Sequence, residues 1–488
     1  MAGASVFNGS LPKWFTAYAV GAYVVVLLGV SVLYSSYAME WYFWLFGITW
    51  VAGFFFLSVK FSQDWNVQRV KRTKAFEKKL FFSGFWMRVA YATFIYYFYL
   101  SMTGKPHEFA SADSFSYIET AQDFSAFLDY GTLWNTLSEY IQTRLSDTGY
   151  PLVIMPFVRW FGPEGGTFAI LMVNAFIGAY TNILIYRIAR RSMGDVTARM
   201  AAIFCMLHPV LICYCGMTLK EVLMTFLVVL FIDLADNMLR GKRYTFATIA
   251  PMIMAGLSLF LFRTVLGMIA FMALFFALVM MDSKIVSYGK KIVLGTLVAG
   301  ILLMAASENI MYEIQQITDT DVREQQETSL RYRYGEEKDK KGTGNSLAKY
   351  AGAAVFAPLI FTIPFPTMVQ AIDGQQDMRL IHGGNWMRNV MSGVVILAML
   401  MLLLSGDWRK YTLPLAMMLG YLLMLAFTTF AHSLRFHIPV MPFEMMFAAY
   451  AITNMRKKHR NWYLIWCLFM VVACFAWNWF KLAGRGLS

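Results

Sequence analysis

Residues 60–102 read KFSQDWNVQRVKRTKAFEKKLFFSGFWMRVAYATFIYYFYLSM. The first part, Lys60–Lys79, carries Lys60, Arg69, Lys71, Arg72, Lys74, Lys78 and Lys79. The second, Leu80–Met102, is apolar and aromatic over a length that spans about 30 Å of hydrocarbon. A basic segment abutting a span stays on the cytoplasmic side, so this stretch predicts an outward crossing. Upstream, Trp14–Tyr34 and Trp41–Leu57 form a hairpin about the short turn Ser35–Glu40, which also places the N-terminus inside. The first apolar run is long enough to be a span and lacks a cleavable signal pattern.

Composition agrees with that reading. The 488 residues are 58% hydrophobic, 17% aromatic and only 15% charged, with a mean hydropathy of +0.52. Soluble domains average about a quarter charged residues, so the expected class is an all-α polytopic membrane protein. The net charge of +13 lies in short turns between apolar runs. That is the positive-inside pattern, and nucleic acid is not expected as a partner. All five cysteines (Cys205, Cys213, Cys215, Cys467, Cys474) lie in apolar runs, with neither disulfide nor zinc spacing.

Followed onward, the pattern predicts about thirteen transmembrane helices. Inner turns carry Arg187, Arg190 and Arg191, then Arg240, Lys242 and Arg243, then Lys284, Lys290 and Lys291, then Arg409 and Lys410, then Arg456–Arg460. Four regions result: 1–79, a helical hairpin and basic cytoplasmic loop; 80–306, a seven-helix module with its first outer loop at 104–150; 307–385, a second outer loop; and 386–488, the C-terminal helices. The run from Pro151 to Phe161, closed by Gly162-Pro163-Glu164-Gly165-Gly166, is too short to cross and reads as a re-entrant or interfacial helix. Tyr350–Pro366 is apolar but broken by proline, and is expected to dip into the bundle without crossing.

The first outer loop is acidic, with Glu108, Asp113, Glu119, Asp123, Asp129, Glu139 and Asp147 against Lys105 and Arg144. Asp113 is the candidate general base, placed at the loop's start near the membrane surface. The alternative is that it caps a helix Ser114–Phe127. Glu108 is a second acid or a solvated one, and His107 a ligand, a base or a surface histidine. Arg263 interrupts an apolar stretch, which marks a functional candidate for phosphate or a snorkelling anchor. Lys220-Glu221 marks an outer turn and reads as a solvated pair. Arg331 and Arg333, amid tyrosines, are candidates for pyrophosphate or glycan, or a solvated pair.

A span, a long outer loop with Asp near its start, six further spans and a second long outer loop resemble the GT-C superfamily of integral-membrane glycosyltransferases. Asp113-Ser-Phe-Ser-Tyr117 with Gly149-Tyr150-Pro151 is similar to the first loop of the bacterial protein mannosyltransferase and lipid A aminoarabinose transferase group. Arg435-Phe-His437-Ile-Pro439-Val-Met-Pro442 resembles that group's late Arg-Tyr-x-x-Pro-x-x-Pro helix. Ser114 stands where many members have a second acid, and an extra hairpin precedes the module. The resemblance implies a sugar donor on polyprenyl phosphate, a glycan, lipid or protein acceptor, and surrounding membrane lipids. It adds Tyr117 and Lys220 as substrate-binding candidates, Glu221 as a ligand of acceptor or metal, and Arg435 and His437 facing donor phosphate (or anchoring headgroups), and leaves a divalent metal open. The expected activity is an inverting transfer at the extracytoplasmic face of a cytoplasmic membrane. The alternatives are a polyprenyl-linked polysaccharide polymerase or ligase, and a lipid-linked glycan transporter or flippase.

Overall fold

The computed structural model is a bundle of α-helices that describes residues 7, 9–241, 246–281, some positions within 289–300, 359–370, 376–426, 431, 433–483 and 487. Among the described residues no strand forms; Ala38 and Val369 make an isolated bridge. In chain order the helices are α1 (Lys13–Leu33), α2 (Trp41–Asp64), α3 (Thr73–Thr103), α4 (Ala112–Asp129), α5 (Leu133–Met193), α6 (Asp195–Leu207) and α7 (Pro209–Cys213). They continue as α8 (Glu221–Arg240), α9 (Phe246–Phe260), α10 (Thr264–Met280), α11 (His382–Ser405), α12 (Thr412–Ala426), α13 (Met441–Thr453) and α14 (His459–Ala483). Short turns of helix at Gln376–Leu380 and Leu434–His437 lie between them.

Six helices are long and apolar enough to cross a bilayer among the described residues, or seven if bent α6 and the segment after it form one span. They are α1, α2, the Leu145–Met193 part of α5, α8, α11 and α14. Helices α9 and α10 are apolar but shorter. The outer rim leaves Val32 and Leu404 75% and 88% exposed, while α8 and α11 are mostly buried. An apolar rim around a buried centre needs lipid rather than water at its surface, so the chain is a multi-pass membrane protein. The apolar run Ile292–Ala306 lies mostly outside the described residues, as do the loop residues Arg331 and Arg333.

Two helices depart from a simple rod. In α5, Gly162 takes φ +73, and a Cβ on Gly166 would come within 2.8 Å of the Val158 backbone. The chain therefore folds back at Gly162, as the short run ending there predicts, and Trp160 and Phe161 are left exposed beside the turn. Between α6 and the segment after it the axis bends by 52° at His208-Pro209. Pro209 has no N–H, so the Cys205 carbonyl four residues earlier loses its helical donor. Arg88, buried at 1% exposure in mid-α3, donates to the carbonyls of Cys205 and Met206 at 3.4 and 3.3 Å. A cation at a helix C-terminus is favourable, which gives this buried arginine a structural role.

Of the proline-broken stretch 350–366, residues 359–366 are described and lie among the helices. Residues 362–369 are buried without being helical, and side chains meet the backbone groups that no helix satisfies. Asn389 donates to the carbonyls of Thr362 and Pro364, and Arg388 to that of Ile363. Asn478 donates to the Pro366 carbonyl at 3.1 Å and accepts from the Met368 N–H at 2.7 Å. Irregular backbone at membrane depth persists only under such protection.

The two ends of the bundle differ chemically. At one end Arg187 pairs with Glu77 at 2.9 Å, and Arg191 with both Asp233 and Asp236 at 2.7 Å. At the other end meet the α1–α2 turn, residues 104–111, the start of α8, the α9–α10 junction and residues 359–370 and 376–380. Gln370 donates to the Tyr37 carbonyl, and Gly149 to that of Leu261, at 2.8 and 2.9 Å.

Candidate functional site

Six of the sequence candidates come together at the second end. Arg435, from the turn of helix Leu434–His437, donates through Nη1 to Asp113 Oδ2 and through Nε to Glu221 Oε1. Glu221 opens α8 and is fully buried, with Arg435 20% and Asp113 55% exposed. Arg263, at the entry to α10, lies 3.9 Å from Glu221 and donates to the Tyr421 hydroxyl at 3.0 Å. Its guanidinium also stacks 4.2 Å over the Phe436 ring, which fixes its plane. Four separate stretches of chain thus place two arginines and two carboxylates at one mouth.

Asp113 is not the helix cap. Helix α4 begins one residue earlier, at Ala112, its N-cap position is Ser111, and Asp113 lies in the first turn. A carboxylate there is favoured by the helix dipole, and its side chain reaches out to Arg435. Tyr117, one turn further on, packs edge-on to Tyr150 at 5.2 Å and lies 6.0 Å below the Lys220 ammonium. Lys220 donates to Asp147 at 2.5 Å and to the Ser146 carbonyl at 3.0 Å. Burial lowers its pKa, while Asp147 acts in the opposite direction. Gly149 is needed here, because a Cβ would fall 2.9 Å from the Leu261 carbonyl oxygen. The close approach seats Tyr150 beside the strand of chain leading to Arg263.

Glu108 and His107 line the same end in a second layer. The Ser114 hydroxyl lies 2.5 Å from Glu108 Oε1 and 3.2 Å from the Thr218 carbonyl. One hydroxyl hydrogen serves only one of these, so a protonated Glu108 donating to Ser114 leaves Ser114 free to bond Thr218. Burial indeed raises the Glu108 carboxyl to about 7, against the Ser114 hydrogen bond. Burial lowers His107 to about 4, helped by Lys105. Asp377 ties the segment after α3 to the short helix Gln376–Leu380, accepting from the Phe109 and Ala110 amides and from Tyr99 at 3.2, 2.9 and 3.3 Å.

His437 is not at the mouth. Its Nδ1 lies 2.9 Å from Arg388 and its Nε2 2.8 Å from the Ala431 carbonyl. It belongs to a buried cluster in which Arg388 pairs with Glu444 at 3.1 Å. Neither Arg388 nor Glu444 was singled out from sequence, yet each interrupts an apolar run, the signal that flagged Arg263. Tyr421, Asp147 and Asp377 carried no such signal.

Around Glu221 the residues do not suit a divalent ion. Its neighbours are two guanidinium cations, and among the described residues no group of three or more His, Cys, Asp or Glu converges to hold a metal. What the mouth offers is fixed positive charge beside a half-exposed carboxylate. Compared with known proteins, the chain matches no family model, no curated protein and no solved structure.

Proposed function

We propose that this chain is a GT-C-like membrane glycosyltransferase that moves a sugar from a polyprenyl-phosphate donor to an acceptor hydroxyl, with inversion. The observation that carries the reading is the meeting of Asp113 with Arg435, Arg263 and buried Glu221 at one mouth. In this reading Asp113 takes the acceptor proton, the acceptor oxygen bonds the anomeric carbon, and the carbon–phosphate oxygen bond breaks. The phosphate leaves with the electron pair, and its charge falls on Arg435 and Arg263, donors suited to phosphate. Stabilising charge where it develops is the larger contribution in such transfers. Lys220 and Tyr117 flank the base and orient the acceptor.

The same reading places the mouth on the extracytoplasmic side of a cytoplasmic membrane. The N-terminus then lies inside, and about thirteen crossings and two long outer loops complete the chain. The basic turns support this orientation. The test uses the purified full chain in liposomes with polyprenyl-phosphate sugars extracted from membranes. Release of polyprenyl phosphate coupled to sugar transfer is expected, and intact donor after prolonged incubation with a range of acceptors contradicts the reading.

A further inference from the structure

We propose that the donor's phosphate and Asp113 are alternative partners for the outward edge of Arg435, while Glu221 anchors its inward edge. Donor binding is then the event that frees Asp113 to accept a proton. This rests on the glycosyl-transfer reading above and adds an order of events to it.

The two carboxylates on Arg435 are unlike. Glu221 is fully buried and holds Nε, whereas Asp113 is 55% exposed and holds Nη1. An ion pair with an exposed partner is weak, but stripping a buried carboxylate of its cation is costly. Any anion arriving from the mouth therefore exchanges with Asp113 and leaves Glu221 in place. Phosphate competes well, since it offers several oxygens to a planar guanidinium. Arg263 stays available as the second cation, its plane held by Phe436 and Tyr421.

While Asp113 is bound to Arg435 its Oδ2 is committed to an N–H, and the carboxylate is held toward the guanidinium instead of an acceptor. Once phosphate takes that N–H, the carboxylate is released beside the donor. The base is thus active only when there is a donor to attack. Glu221 becomes a positioning residue that keeps Arg435 in place during the exchange.

The experiment measures binding of undecaprenyl phosphate to the full chain in detergent, with undecaprenol as the control for partition of the tail. Asp113→Asn is expected to bind undecaprenyl phosphate about 1.4- to fivefold more tightly, the range that an exposed ion pair spans. In an Arg435→Gln background the same change is expected to have no effect, because the competition has been removed. If Arg435→Gln does not fold, Arg435→Lys, which keeps one charge for Glu221 but lacks the second edge, carries the same expectation. Unchanged or weaker binding by Asp113→Asn overturns the inference. So does an equal gain in the Arg435 variant, which points to simple repulsion instead. A wild-type chain that binds both lipids equally contradicts the donor reading itself, a distinct outcome.

Discussion

Replacing Glu221 by Gln and Asp113 by Asn removes one negative charge each from the same guanidinium, yet the two changes differ sharply in cost. Glu221 has no exposure, and Arg435 is only 20% exposed. Removing one partner of a buried ion pair costs about 3–5 kcal/mol, because the other charge is left without compensation. Asp113 remains to Arg435 in the Glu221→Gln variant, which sets the expectation at the lower end, about 3 kcal/mol. Asp113 is 55% exposed, and an exposed pair contributes about 0.2–1 kcal/mol. Asp113→Asn should therefore cost less than about 1 kcal/mol, with water taking the vacated side. Reversible unfolding in mixed micelles of dodecyl maltoside and SDS, followed by circular dichroism, reads both. Equal losses for the two variants, or a Glu221→Gln loss within about 1 kcal/mol of zero, refute the anchored geometry.

Glu108, raised to about 7 by burial, is more proton-bound in the folded chain than in the unfolded one. Its stabilising contribution is complete below its ordinary range and is lost as pH rises through about 7. Unfolding measured from pH 5 to 8 should thus show a decline in the wild type that Glu108→Gln lacks; parallel curves contradict the assignment. In the buried cluster, Arg388→Met alone should cost about 3–5 kcal/mol by stranding Glu444, and Arg388→Met with Glu444→Leu should recover the part due to Glu444, the Ile363 carbonyl still lacking its donor. A double variant as unstable as the single one speaks against that pairing. Gly166→Ala forces the two arms of α5 apart at Val158 and should cost about 1–3 kcal/mol; a neutral result argues against the fold-back at Gly162.

Hydropathy located the helices well where one apolar run makes one rod. The expected span Trp14–Tyr34 corresponds to α1 within a few residues, and the apolar runs Val222–Leu239 and Trp386–Leu404 fall within α8 and α11. It erred at the ends of α2 and α3, which continue through polar residues to Asp64 and back to Thr73. Helical hydrogen bonds do not stop where lipid does. The apolar run Met200–Met217 has the length of one rod, whereas Pro209 bends it and Arg88 seals the break. Asp113, Tyr117, Lys220, Glu221, Arg263 and Arg435 were legible as candidates because polar groups at the ends of apolar runs stand out. Their pairing was not, since Arg435 and Asp113 are 322 positions apart and no spacing rule reaches that far. His437 was misplaced for a related reason. It lies two residues beyond Arg435, and the short helical turn directs it to Arg388 inside the bundle.

The central claim is that Asp113 removes the acceptor's proton. Single-turnover sugar transfer by wild type and Asp113→Asn, at saturating donor and with folding checked by micelle unfolding, tests it directly. The account predicts a loss of about 10²–10⁴-fold in the transfer rate without loss of donor binding. A transfer rate within a few-fold of wild type would show that some other group is the base.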